Sequence, residues 1–246
     1  MTDFEHVPRA LEGVEGWLTD PQAQRLSDRA RALQFPARIV EIGSYRGRST
    51  IALASSAPDG VTVVAIDPHA GDDRGPRQIH GSPAEGEADH RAFVENLERA
   101  GVAERVEHVR LPSKQALATL PGAAHLVYVD GAHSYRPARD DLAGWGGRLA
   151  PGGALLVHDA WSSVGVTLAL LRTLVFGSRF RYAGRTGSLA EYERAEVRGR
   201  ARAANALRQL AELPWFARNL LVKAAIVARL RPLARLLGHR SGPWPY

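Results

Sequence analysis

From Pro36 to Val157 the chain repeats one unit, a short apolar run followed by a stretch with helical spacing. The runs are Arg38–Ile42, Val61–Ile66, Val106–Leu111, His125–Val129 and Ala154–Val157. The stretches between them are Ser49–Ser56, Asp89–Ala100, Ser113–Leu120 and Arg136–Leu149. Short runs that are apolar on both faces fit parallel strands covered by helices on both sides. Their alternation with helices predicts an α/β fold. Upstream, Asp20-Pro21 predicts a helix start, with Asp capping the free N–H groups and Pro in the first turn. Leu26, Ala30 and Leu33 continue it. Downstream, Trp161–Phe176 reads as one helix. Arg179–Arg185, Gly187 and Ser188–Arg194 then read as two strands joined by a tight turn. The predicted sheet is mostly parallel and ends in an antiparallel hairpin. The chain divides into an N-terminal helical segment (1–34), an α/β domain (35–196) and a helical extension (197–246).

Charge separates the extension from the rest. The 246-residue chain carries +6, but residues 197–246 hold ten Arg or Lys against one acid, Glu212. The extension therefore carries +9 and the remainder −3. A basic body would suit nucleic acid; this body is not basic, and no nucleic-acid partner is expected. A basic tail suits an anionic membrane surface, an acidic partner or solvation alone. Its helical run Ala217–Leu230, broken at Pro232, places Phe216, Leu220, Val227 and Leu230 loosely on one face. This pattern fits a helix packed on the body, a partner in a homo-oligomer, or peripheral membrane contact. The first residues carry no apolar h-region, no stretch reaches the length of a bilayer span, and cysteine is absent. These features predict a cytoplasmic protein. Residues 70–86 read as a long loop, and Gly242–Tyr246 as extended.

The chemistry gathers at the ends of the apolar runs. Val40-Glu41-Ile42-Gly43-Ser44-Tyr45-Arg46-Gly47-Arg48-Ser49-Thr50 is a strand, a glycine-bearing turn and a helix start. In open α/β sheets ligands bind beyond the carboxyl ends of strands. The Gly-x-x-x-Gly spacing is not the Gly-x-Gly-x-x-Gly of a dinucleotide pyrophosphate site. Asp67 ends the second run, 24 residues after Gly43, where an acid can accept both ribose hydroxyls. Taken singly, the glycines fit a simple βα turn and Asp67 a turn cap. Together they indicate a nucleoside ligand. Asp130 ends the fourth run and His158-Asp159 the fifth, on the same sheet edge. Two carboxylates and an imidazole there suit a divalent cation. The alternative is capping and turn hydrogen bonds only.

These segments, with Val129-Asp130-Gly131-Ala132-His133-Ser134-Tyr135, Asp141-Leu142-x-x-Trp145, Pro151-Gly152-Gly153 and Val157-His158-Asp159, occur in order. Together they resemble class I S-adenosylmethionine (SAM)-dependent methyltransferases on a Rossmann-like sheet. The resemblance covers roughly residues 35–195 and points to the group of metal-dependent sugar O-methyltransferases and cephalosporin-hydroxylase-like proteins. It implies that Glu41, Gly43, Ser44, Tyr45 and Gly47 line the methionine end of SAM, with Ser49 near its carboxylate. It further implies that Asp67 holds the ribose and that Ser113 lies near adenine. Asp130, His158 and Asp159 would ligate the metal, and Asp130 also borders the cofactor. Mg²⁺ is favoured. His158 departs from the acids of some relatives and softens the site toward Mn²⁺, Fe²⁺ or Zn²⁺. His133 stands at the offset of the general base in catechol-type relatives; its alternative role is packing or capping a helix. His69 and His80 are further candidates for the acceptor pocket. The expected reaction is methylation of a hydroxyl on a saccharide or sugar-bearing metabolite. Its rivals are a nicotinamide-dependent oxidoreductase and a non-catalytic SAM-binding or membrane-associated accessory protein.

Overall fold

The computed structural model describes residues 6–71 and 81–239. Its elements are α1 (His6–Ala10), α2 (Asp20–Arg31), β1 (Arg38–Ile42), α3 (Arg48–Ser56), β2 (Thr62–Ile66), α4 (Pro83–Arg99), β3 (Val106–Val109), α5 (Ser113–Thr119) and β4 (Ala124–Val129). They continue with α6 (Tyr135–Arg148), β5 (Leu149–Val157), α7 (Val164–Leu170), β6 (Phe180–Thr186), β7 (Leu189–Arg194), α8 (Gly199–Leu210), α9 (Leu213–Val227) and α10 (Arg231–Leu236). The seven strands form one sheet in the order β3-β2-β1-β4-β5-β7-β6. The pairs among β1–β5 are parallel, and β7 runs antiparallel to both β5 and β6. The α/β fold with a closing hairpin is thus as the apolar pattern predicts.

The pattern works because alternate residues of each strand enter different cores. On β1, Ile39 packs with Leu26, Ile51 and Leu53 on one face, while Val40 and Ile42 pack with Leu142 and Trp145 on the other. Each such fully buried side chain contributes roughly 1.5–3 kcal/mol. Val7, Leu11, Val14 and Leu18 of the N-terminal segment join the first core. A buried ion cluster also ties α2 to the hairpin: Glu191 on β7 receives Arg25 and Arg29. The extension is tied through its only acid, since Glu212 accepts from Tyr182 Oη at 2.8 Å and Arg185 Nε at 2.7 Å.

Four expectations change. The first long helix is capped by Thr19 rather than Asp20, and Gln22 Oε1 accepts the Thr19 N–H at 2.9 Å. The stretch Trp161–Phe176 is not one helix. Asp159 and Trp161 have φ of 52° and 58°, a left-handed geometry that no α-helix continues, so α7 starts after Ser163. The loop expected over 70–86 ends earlier, because α4 begins at Pro83; residues 72–80, including His80, lie outside the described residues, as does Gly242–Tyr246. Phe216, Leu220 and Val227 do lie on one face of α9, but that face is only partly packed: the first two are half-buried and Val227 is exposed, while Leu230 lies beyond the helix end and is exposed.

Candidate active site

β1 lies between β2 and β4, and the chain connects outward to opposite sides from this point. Such a switch opens a crevice at the carboxyl ends of the strands. A cavity of about 450 Å³ occupies it. Of the residues singled out in the sequence, Gly43, Ser44, Tyr45, Ser49, Asp67, Ser113, Asp130 and His133 line it.

The turn after β1 brings backbone unusually close to the neighbouring strand end. Gly43 has φ of 85°, and a Cβ there would lie 2.2 Å from the Asp130 carbonyl oxygen. Only glycine fits. Beside it, the Ser44 hydroxyl is buried on the cavity wall with no hydrogen-bond partner among the described residues. A buried hydroxyl left in this state calls for a polar ligand atom. Asp67 Oδ2 accepts the Tyr45 N–H and Oδ1 the His69 N–H, both at 2.8 Å. These bonds fix the carboxylate, and each oxygen keeps a lone pair for a further donor.

Glu41 and Gly47 lie behind the cavity rather than on its surface. Gly47, φ 89°, caps α3 and faces Phe93. Glu41 is fully buried and accepts from the Ser49 and Thr50 hydroxyls. Burial pushes its carboxyl up to about 8, although both hydroxyls pull it down. The folded chain therefore holds a proton that the unfolded chain loses near 4.5. Stability must fall as pH rises between those values, by about 1.4 kcal/mol per pH unit inside the window. Urea unfolding at pH 6 and pH 8 should show this loss in the wild type and a smaller loss in Glu41→Gln, where the raised His158 still contributes above pH 6.5. Equal slopes would mean that Glu41 ionises normally.

Ser113 opens α5 and is fully engaged: its hydroxyl donates to Asp141 and accepts from Trp145 Nε1 at 2.8 Å. Burial raises Asp141 to about 6, against the pull of Ser113. Both residues line the cavity.

At the other end stand the strand-end acids. Asp130 Oδ2 accepts from Tyr128 Oη at 2.7 Å. Asp159 Oδ2 lies 2.8 Å from His133 Nε2. Asp130, His133 and Asp159 each present a ligand atom, all within 4.8 Å of one another. His158, expected among the ligands, is not one of these three and lies against both acids. Its Nδ1 lies 3.2 Å from Asp130 Oδ1 and 3.5 Å from Asp159 Oδ2. Burial opposes the charge on this imidazole, but the two carboxylates hold it well above its ordinary pKa. Burial would likewise raise Asp159, yet His158 and His133 keep it well below the usual carboxylate range. His69 is buried behind Asp67, with Nε2 2.9 Å from the Tyr45 carbonyl, and does not line the cavity.

Several lining residues had no signal in the sequence. Glu15, Gly16, Trp17 and Leu18 close one side of the cavity. Arg48 holds this segment there, donating to the carbonyls of Leu11, Val14 and Leu18 at 2.9–3.0 Å. Trp17 packs on Tyr45 with ring centroids 5.2 Å apart. Arg136 and Lys114 also line the cavity.

Residues 40–160 match the family profile described as a methyltransferase domain. Solved structures share the fold. Cofactor-bound Rv0187 from MTB aligns over 79% of this chain and 90% of its own, at 24% identity and TM-score 0.55. The O-methyltransferase TomG from Streptomyces achromogenes, involved in tomaymycin synthesis and solved with SAM, aligns over 81% and 91%, at 21% identity and TM-score 0.53. The O-methyltransferase from Bacillus cereus, solved with SAH, aligns over 80% and 90%, at 17% identity and TM-score 0.53. The matched segment runs from the middle of β1 to the turn after β5 and contains the glycine turn, Asp67, Asp130, His133 and Asp159; residues 40–160 thus carry a methyltransferase domain.

Proposed function

We propose that the protein transfers a methyl group from SAM to a hydroxyl oxygen of a small-molecule acceptor. The observation that carries this reading is the cavity, whose wall holds a fixed carboxylate, Asp67, together with Asp130 and His133, which form a cluster with Asp159. Asp67 would accept the ribose hydroxyls. The free Ser44 hydroxyl and the start of α3 at Ser49 would meet the methionine end, where exposed N–H groups favour a carboxylate. Ser113 and Asp141 would border adenine. SAM supplies an electrophilic methyl group on a sulfonium. The protein's part is to hold the acceptor oxygen in line with it.

The donor set also fits a divalent cation: two carboxylates and one imidazole face a common point, a mixture suited to Mg²⁺ or Mn²⁺. Asp130, His133 and Asp159 would hold it. Such a cation lowers the pKa of a hydroxyl bound to it. In this reading His158 stays behind the acids as their buried counter-charge. A second reading rests on the 2.8 Å contact between His133 and Asp159. There Asp159 orients His133, and the neutral imidazole takes the acceptor's proton without a metal. The two readings exclude each other, because a ligand nitrogen cannot also accept a proton.

A saccharide or sugar-bearing acceptor is the finer proposal. It rests on the sequence resemblance and on Trp17, an aromatic face at the cavity wall that suits the C–H face of a sugar ring. The test is transfer of labelled methyl from SAM to a panel of sugars, glycosides and catechols, with and without EDTA after dialysis. The cation reading predicts that turnover is lost with EDTA and restored by Mg²⁺ or Mn²⁺. Full turnover in EDTA would favour the His133–Asp159 pair. No transfer to any hydroxyl acceptor, with transfer to an amine or thiol, would overturn the O-methylation proposal.

A further inference from the structure

The basic extension carries an apolar face turned outward. Helix α9 buries Asn219, Val222 and Ala225. Two polar side chains on that inner side grip the loop after β5: Asn219 Nδ2 donates to the Trp161 carbonyl at 3.2 Å, and Lys223 Nζ to the Ser162 carbonyl at 2.8 Å. The outer side is apolar too: Leu213, Leu221 and Val227 are exposed, Val227 by 76%. The chain continues with exposed Leu230, Leu233 and Leu236, the last 83% exposed. Arg218 fastens α10 to α9 by donating to the Leu237 carbonyl at 2.6 Å. A surface helix usually turns a polar face to solvent, whereas α9 buries Val222 and Ala225 inward and still exposes Leu221 and Val227 outward. Exposed large apolar side chains gathered on two adjoining helices mark an interaction site.

Charge selects the occupant. From Leu213 to Tyr246 the sequence has six Arg or Lys and no acid. Arg229 and Arg235 lie among the outward leucines, are exposed, and make no ion pair among the described residues. A second copy docking the same face on itself would bring cations against cations with no acid to answer them. An anionic bilayer answers both features. Leucines enter the headgroup and acyl boundary while guanidinium groups reach lipid phosphates. No helix among the described residues is long and apolar enough to cross a membrane, which leaves contact along the surface.

We infer that α9 and α10 dock the protein on the surface of an anionic lipid bilayer, using Leu221, Val227, Leu230, Leu233 and Leu236 with Arg229 and Arg235. The test is cosedimentation of the full chain with phosphatidylcholine vesicles and with vesicles of phosphatidylcholine and phosphatidylglycerol. The protein should sediment with the anionic vesicles only and should be released as salt is raised. Leu230→Glu with Leu233→Glu should lower the bound fraction by on the order of tenfold. If that variant fails to fold by circular dichroism, Arg229→Gln with Arg235→Gln should show a weaker loss of the same sign. No sedimentation with anionic vesicles at low salt, or equal sedimentation with neutral ones, overturns the inference. So does a dimer, seen by light scattering, that the leucine variant dissolves while vesicles bind neither form.

Discussion

Asp159→Asn should lower turnover by about 10²-fold or more while SAM affinity changes little. Asp159 is the hub of the strand-end cluster, touching both His133 and His158, yet it does not line the cavity in which SAM is placed. Both readings of the chemistry lose their centre when its charge goes. A cation would lose one of two anionic ligands, and a base at His133 would lose the group that orients it. Asparagine is the informative choice because it keeps the side-chain shape and an acceptor oxygen. Either substitution leaves the buried His158 cation with Asp130 as its one anion, and breaking a buried pair costs about 3–5 kcal/mol; alanine adds the loss of every acceptor atom and of side-chain volume. Loss of activity could then reflect loss of fold. Calorimetry with SAM and a thermal melt, run beside the kinetics, separate the two effects. Wild-type turnover in a folded Asp159→Asn protein would remove the cluster from the reaction.

Asp67→Ala should weaken SAM binding by on the order of tenfold or more, because charge-assisted hydrogen bonds to both ribose hydroxyls are lost. The effect has a second source in the structure. The same carboxylate accepts the N–H groups of Tyr45 and His69, so its removal also loosens the glycine turn. Asp67→Asn should fall between the wild type and alanine, since its amide can still accept one bond. An unchanged affinity in Asp67→Ala would place the ribose elsewhere.

The central strands β1, β2 and β4 were legible because each is mostly apolar on both faces, and such runs have few other uses in a chain of this composition. The turn residues were legible for a local reason. Glycine at 43, an acid at 67 and an acid at 130 each sit where a strand ends, so their neighbourhood follows once the parallel sheet is accepted. The N-terminal wall of the cavity was not legible. Trp17 is held at the cavity by Arg48, at the start of α3, which binds three carbonyls of a segment thirty or more residues upstream of it. No periodicity records such a contact. The turn after β5 was hidden for a different reason. Asp159 and Trp161 adopt left-handed backbone without glycine, and an apolar pattern continuing into α7 disguised the break. That turn aims Asp159 at His133 and leaves His158 as the buried counter-charge, an arrangement that side-chain type alone leaves open.

The central claim is that the cavity between β1, β2 and β4 is a SAM site, and calorimetric titration of the wild-type chain tests it most directly. SAM should bind with a dissociation constant in the micromolar range, about 8 kcal/mol of binding free energy, and NAD should give no comparable heat. Tight binding of NAD with none of SAM would contradict the account.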